Sequence, residues 1–322
     1  MKKKTIIGLL ILAALIAVFF VSRGMENVER RTNLFRFSQA DVVKVEFITP
    51  NPLLSFLDEN EPVIARDTLV VELIRDEWII TSPRRLPVRE SQADRFFENI
   101  LRLTVSGNPV SESSSRRDFY QVDEAGGLQI AFFGRNDREL ARIFYGIGQN
   151  PNFAYVRRQG ENQIYQINNI FQFINPALNA WRDDRIVSFA QNQIQSITVN
   201  GSLFSYELIQ QNDQWVLYEG EESSLISLPN VNLQRLLNGI SNLRTNVFFD
   251  DEYETHAERL ANPDLELFIR LTTRETVGLR IARIDDNALV LQRNEERETL
   301  YRITNAQFNP MNIAPSELVD SD

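Results

Sequence analysis

Few residues of this chain have side chains suited to catalysis. The sequence has no cysteine and a single histidine, His256, which excludes thiol nucleophiles, Cys/His dyads and His-rich zinc sites. A Ser-His-Asp triad would have to use His256 as its base. That residue lies in the polar segment DDEYETHAER (250–259), which is typical of an exposed loop. The sequence therefore predicts a surface histidine rather than a catalytic one.

The remaining candidates for chemistry are carboxylates and glycines. Adjacent aspartates occur at 183–184, 250–251 and 285–286, but none has the spacing of a known calcium loop. Convergent carboxylates would suit glycoside hydrolysis, yet nothing selects one pair from the 44 acidic residues. Gly146 and Gly148 lack the following helix of a phosphate-binding loop and indicate a turn. We therefore expect no catalytic residue, no cofactor and no metal site.

The first 23 residues predict a membrane anchor. Lys2–Lys4 precede an uncharged apolar run over residues 6–21, which approaches the roughly 30 Å thickness of the hydrocarbon core once Thr5 and Ser22 are added. A cleaved signal peptide is the alternative, but Phe19–Val21 fill the positions where cleavage needs small residues. We expect a single-pass helix with a cytoplasmic N-terminus and extracytoplasmic residues after it. The predicted span includes Ile6, Gly8, Leu12 and Val21.

The charge of the chain bears on its partners. Its net charge is −10, and the first 23 residues are themselves basic, so the following part is more acidic still. An acidic surface repels phosphates and argues against nucleic acid as a partner. Solubility alone also explains such a charge.

The chain repeats one order of motifs. The segment VELIRDEWIITS (71–82) shares Glu-Leu-Ile, a polar turn and Trp with YELIQQNDQWVLYEG (206–220). Flanking segments match in the same order: 37–47 with 189–199, 94–103 with 233–243, 128–133 with 265–270, and 164–176 with 300–310. Conserved order over copies this long predicts two tandem domains. We place a linker at 24–36, the repeats at 37–182 and 183–310, and an acidic tail at 311–322.

Each copy has the periodicities of an α+β domain. Alternating apolar residues at 265–271 and 277–281 predict strands of an antiparallel meander. Helical spacing of apolar residues predicts one covering helix per copy, near 90–103 and 230–243. Trp78 and Trp215 fall on the return strand of equivalent hairpins. Core positions are the favoured interpretation, and ligand platforms are the alternative.

Several motifs together resemble a known family. They are WIITSP (78–83), FYQVD (119–123), YGIGQNPNFAYVRR (145–158), IYQI (164–167) and WRDDRIVSF (181–189). As an ordered set over residues 70–200, they resemble the bacterial domain-of-unknown-function family 4340. The resemblance implies a membrane-anchored companion of gliding-type ABC transporters, with no established catalytic residues.

One insertion distinguishes the two copies. The first copy holds 17 additional residues between its first two strands, within 49–68. This segment contains an apolar cluster formed by Leu53, Leu54, Phe56 and Leu57. The cluster either packs on its own sheet or forms a contact surface for another subunit.

These observations lead to three functional hypotheses. The first is a non-catalytic extracytoplasmic auxiliary or scaffolding subunit of an ABC-type transport complex, anchored in the bacterial cytoplasmic membrane and bound to a permease or auxiliary subunit. The second is a binding module for an envelope glycan or other polymer, using aromatics such as Trp78, Tyr155 and Trp215. The third is a carboxylate-dependent hydrolase.

The apolar cluster gives a first test. Replacing Leu53, Leu54, Phe56 and Leu57 by serine should preserve the melting temperature and remove co-purifying subunits, because the second copy closes the equivalent hairpin through Asn200–Ser202 without such a cover. A thermal melt and a pull-down from native membranes measure both effects. A large loss of stability with partners still bound would assign the cluster to the core, where each side chain is worth roughly 1.5–3 kcal/mol.

Overall fold

The computed structural model describes residues 31–50, 66–146 and 150–319. Two sets of predicted residues lie outside these ranges: Ile6, Gly8, Leu12 and Val21 of the anchor, and Leu53, Leu54, Phe56 and Leu57 of the insertion. No helix among the described residues is long and apolar enough to cross a membrane. The chain divides into two compact units between Asp183 and Asp184.

The first unit contains ten strands, of which eight form one antiparallel sheet. Its strands are β1 (Thr32–Asn33), β2 (Lys44–Pro50), β3 (Arg66–Ile74), β4 (Glu77–Ser82), β5 (Leu86–Pro87), β6 (Thr104–Val105), β7 (Leu128–Phe133), β8 (Glu139–Gly146), β9 (Phe153–Arg158) and β10 (Tyr165–Asn168). Its helices are α1 (Gln92–Ile100), α2 (Phe171–Ile174) and α3 (Leu178–Trp181). The sheet order is β10-β9-β8-β7-β2-β3-β4-β5, and β1 pairs separately with β6.

Helix α1 covers one face of this sheet because its apolar residues recur at helical spacing. Phe96 and Phe97 are almost fully buried. The ring centroid of Phe96 lies 5.4 Å from that of Phe47 on β2 and 6.0 Å from that of Phe132 on β7. Trp181 of α3 closes the cluster, 5.2 Å from Phe96. These contacts make one continuous aromatic core of the helix and the sheet.

The opposite face of β7–β9 is covered by the segment 117–124, which a buried arginine secures. Arg157 on β9 donates from Nε to the Val122 carbonyl and from Nη2 to the Glu124 carboxylate, both at 2.8 Å. Its guanidinium also lies 4.1 Å from the centre of the Phe144 ring. The backbone approaches closely here, because a Cβ at Gly146 would overlap the Tyr120 carbonyl oxygen.

The second unit has the same strand order with one strand added. Its strands are β11 (Arg185–Ser188), β12 (Ile194–Gly201), β13 (Ser205–Gln211), β14 (Gln214–Glu219), β15 (Glu222–Leu225), β16 (Asn242–Arg244), β17 (Phe248–Asp250), β18 (Leu265–Leu271), β19 (Thr276–Arg283), β20 (Ala288–Arg293) and β21 (Thr299–Thr304). Its helices are α4 (Val231–Ser241), α5 (Tyr253–Ala261) and α6 (Asn305–Phe308). The sheet order is β15-β14-β13-β12-β18-β19-β20-β21-β17, and β11 pairs with β16.

The α+β class with antiparallel sheets is confirmed, and α1 and α4 lie where the periodicity predicts helices. Helix α4 begins after Asn230, whose side chain accepts a hydrogen bond from the Leu233 N–H at 2.9 Å. The expectation of one covering helix per copy is wrong for the second unit. There α5 covers the other face of the sheet through Leu260, which packs with Val290 and Leu300.

Two segments predicted as linker and tail contribute to the cores. In the predicted linker, Leu34 and Phe35 are buried. In the predicted acidic tail, Met311, Ile313 and Leu318 are buried in the core of the second unit. The charged residues around these three apolar positions obscured them in the sequence.

The buried arginine gives a stability prediction. Arg157→Ala should destabilise the first unit by about 3 kcal/mol, because it leaves the buried Val122 carbonyl without its donor and opens a cavity. Arg102→Ala is the matched control: Arg102 pairs with Glu98 on the surface, so its loss should cost less than about 0.5 kcal/mol. Urea denaturation of both variants measures the difference. Equal effects would show that Arg157 does not secure the segment 117–124.

Candidate functional site

The single histidine is not on the surface. His256 lies on α5 and is only 6% exposed. Its ring centroid is 5.1 Å from that of Phe249, and Nε2 lies 3.7 Å from a Glu252 carboxylate oxygen. The predicted surface loop is therefore wrong. Tyr253, His256 and Leu260 have helical spacing, a signal that the polar residues around them obscured.

The geometry at His256 does not assemble a triad. Neither of its ring nitrogens has a hydrogen-bond partner among the residues that the structure describes. A general base needs hydrogen-bond contact with the group it deprotonates and with the group that orients it. What His256 supplies in this arrangement is packing beneath α5.

The adjacent aspartates are engaged in local structure. Asp184 accepts a hydrogen bond from Arg244 at 3.0 Å. Asp285 accepts from the N–H groups of Asn287 and Ala288 in a turn. Asp250 accepts from the Thr299 hydroxyl at 3.3 Å. Within the described ranges, no three His, Asp or Glu side chains are grouped as metal ligands would be.

Two buried tyrosines perform structural roles. Tyr145 donates to Asn169 Oδ1 at 2.8 Å, and burial raises the pKa of its hydroxyl to about 12. Tyr206 donates to the Ile313 carbonyl at 2.9 Å, and burial raises its pKa as well. Because both hydroxyls stay protonated at neutral pH, each holds a connecting segment against its sheet.

The second unit has an open groove with a mainly apolar lining. It lies between the β13–β14 hairpin and the start of α4, and its volume is about 730 Å³. We call it the Trp215 groove; it is lined by Asp213, Trp215, Leu228, Val231, Leu233 and Leu237, among others. The buried side chains of Trp215, Leu233 and Leu237 form its floor, and the exposed side chains of Leu228 and Val231 form its rim. The groove is therefore open to solvent.

The rim is unusual in its exposed apolar surface. Leu225 is 55% exposed, Leu228 57% and Val231 75%. Leu228 and Val231 line the groove. Leu225, on the edge strand β15, pairs with Val216 and therefore lies on the sheet face opposite to Trp215. Clusters of exposed apolar residues mark interaction surfaces more often than isolated ones do.

A difference in side-chain size between the two units accounts for the groove. In the first unit the Phe97 ring lies 5.2 Å from the Trp78 ring. Trp215 matches Trp78 in the sequence repeat, and Leu237 matches Phe97. Leucine is smaller than phenylalanine, so the corresponding space beside Trp215 is less filled.

The three aromatics considered as ligand platforms lie in packed surroundings. Trp215 is only 6% exposed. Trp78 is half-buried against Phe97, and Tyr155 is half-buried with its ring 4.6 Å from that of Tyr120. The sequence repeat located Trp215 but did not predict the groove. Whether the residues at the start of α4 are exposed depends on which strands pack beside them, and the sequence pattern does not report this.

Comparison with known proteins places this fold in a family. The family described as Domain of unknown function (DUF4340) matches residues 78–263, more than half of the chain. No curated protein and no solved structure matched the chain.

The size difference beneath the groove gives a prediction for two leucines of α4. Leu237→Phe should preserve the melting temperature and reduce binding of an apolar fluorescent dye, because the ring fills the groove. Leu236→Phe is the control: Leu236 is fully buried, so overpacking should destabilise the protein by about 1–3 kcal/mol. Thermal melts and dye titrations measure both. Equal destabilisation by the two variants would contradict an open space at Leu237.

Proposed function

This chain belongs to the DUF4340 family, and from that premise we propose that it is a non-catalytic auxiliary or scaffolding subunit of an ABC-type transport complex. It is held in the bacterial cytoplasmic membrane by its N-terminal apolar segment, and its two units lie on the extracytoplasmic side. Its task is to bind another subunit of the complex, a permease or an auxiliary protein, and to keep that subunit in place.

The observation that carries this proposal is the Trp215 groove with its apolar rim. Leu228 and Val231 are more than half exposed although each would gain from burial. A partner side chain entering the groove would cover both and contact Trp215 and Leu237 at its floor. A few anchor residues in well-packed pockets supply most of the energy of protein interfaces.

The anchor makes a modest interface sufficient. A membrane segment confines the two units near the other subunits, which makes docking in effect intramolecular. Effective concentrations in tethered systems reach the millimolar range, so a groove of this size suffices for stable association.

Internal duplication explains how one unit gained this role. The two units share one sheet order, and we infer that they descend from one ancestral domain. Phe97 fills the space beside Trp78 in the first unit, while Leu237 leaves its counterpart open. The second unit then specialised in binding and the first kept the packed arrangement.

The glycan-binding alternative has less support from the geometry. A sugar ring stacks on an exposed aromatic face, and Trp215 presents only 6% of its surface. Trp78 and Tyr155 are half-buried against other rings.

Affinity purification from native membranes tests the proposal. The tagged full-length protein should remain with membranes after a carbonate wash and should co-purify transport-complex subunits. Leu228→Ser combined with Val231→Ser should reduce that co-purification at least about tenfold, since two apolar contacts are lost.

The matched control uses Leu203, an exposed leucine in the β12–β13 turn. Leu203→Ser removes a similar apolar surface away from the groove and should leave co-purification unchanged. If wild-type protein brings down no transport subunit, the proposed function is wrong. If both serine variants act alike, the groove is not the docking site.

A further inference from the structure

We propose that the Trp215 groove and the free edge of the neighbouring strand β15 together receive an extended, cationic and apolar segment of a partner protein, which adds to the sheet as one more strand. This inference rests on the proposed function, because it specifies the chemistry of the subunit that the groove binds. It depends on two observations separate from the exposed rim: the hydrogen-bonding state of β15 and the distribution of charge around it.

The outer edge of β15 offers unpaired backbone groups. The Ile226 N–H donates to the Trp215 carbonyl at 2.9 Å. Alternation in an antiparallel ladder then turns the N–H and C=O groups of Ser223 and Leu225 away from β14. No group among the described residues bonds to them. Such an edge accepts an additional strand unless it is protected.

Strand β15 is short and begins with Glu222, but it has no lysine, no proline and no bulge to protect its edge. Charged side chains, above all lysine, discourage pairing at sheet edges, as do prolines, bulges and short strand length. Strand β15 contains Glu222, two serines and Leu225, and its ladder with β14 is regular over four pairs. All four residues of the strand are exposed.

The edge and the groove meet at Trp215. Trp215 forms part of the groove, and its carbonyl holds the chain at Ile226, directly after β15. The chain then continues to Leu228 and Val231 on the groove rim. A strand paired with β15 would direct alternate side chains toward the two faces of the sheet. One set would reach the groove and the other would reach Leu225.

The charge of this region selects a cationic partner. Residues 186–234 include no lysine or arginine. They carry five acidic residues: Glu207, Asp213, Glu219, Glu221 and Glu222. Within the described part of the chain, none of the five forms an ion pair. Three of them stand at the β14–β15 turn and Asp213 stands at the opposite end of β14, so acids flank both ends of the edge.

This distribution favours a protein segment over other occupants. Anionic lipid headgroups and the acidic surface of a second copy would be repelled. A strand with an apolar centre and basic ends would match the rim in the middle and the acids at the ends.

The test uses the full-length protein in discs of zwitterionic lipid and a synthetic peptide probe. The probe has an alternating valine–leucine centre with two lysines at each end, and the matched peptide carries glutamates instead. We expect the lysine peptide to bind at least about tenfold more tightly, with affinity falling as salt rises. Equal binding of the two peptides would overturn the charge argument.

Variants at the edge separate strand addition from simple contact. Ser223→Pro removes an outward N–H without touching the inner ladder, and Ser223→Ala keeps it. The proline variant should weaken binding about tenfold, the value of one or two backbone hydrogen bonds, and the alanine variant should not. Amide exchange at Ser223 and Leu225 should slow when the peptide binds, and this readout needs no variant. Unchanged exchange with the peptide bound would refute strand addition.

The other occupants give distinct results. Protection of these amides in anionic discs without peptide would assign the edge to the membrane and overturn the proposal. Protection that depends on protein concentration would assign it to a second copy and do the same. Peptide binding without transport subunits in the membrane pull-down would contradict only the proposed function. In the same pull-down, transport subunits that still bind the Ser223→Pro variant but no longer bind the Leu237→Phe variant would contradict strand addition and leave the proposed function intact.

Discussion

The burial of one sheet face beneath a single helix is the constraint on which the rest of this structure depends. Eight strands spaced about 4.8 Å apart span roughly 34 Å, whereas a helix with its side chains is only about 10 Å wide. Helix α1 contacts Phe47 and Phe132 near the centre of its sheet and cannot reach both edges. Each unit therefore needs further segments to cover what its helix leaves open.

The two units also cover the opposite faces of their sheets differently. In the first unit an irregular segment lies across β7–β9, held by Arg157 through the Val122 carbonyl and Glu124. In the second unit α5 takes a comparable place, with its residues Leu260 and His256 packed against the sheet and Phe249. The same strand order thus supports a polar clamp in one unit and an apolar helix in the other. The edge at β15 is left uncovered.

Periodicity and repetition in the sequence were sufficient to predict much of this architecture. Alternation located β18 and β19, and the spacing of apolar residues located α1 and α4, because both patterns report directly on which face is buried. Helix α5 was missed because only Tyr253, His256 and Leu260 mark its buried stripe. The groove could not be predicted from the sequence. It requires a leucine where the other unit has Phe97, and it requires that no neighbouring strand covers the rim residues.

The buried C-terminal segment has a consequence for biosynthesis. Leu318 is fully buried, and its carbonyl accepts a hydrogen bond from the Asn230 side chain, the residue that caps α4. The core of the second unit therefore includes a residue as late as Leu318, whereas the main core cluster of the first unit ends at Trp181. We expect the first unit to fold before the second as the chain emerges, and the Trp215 groove to form late.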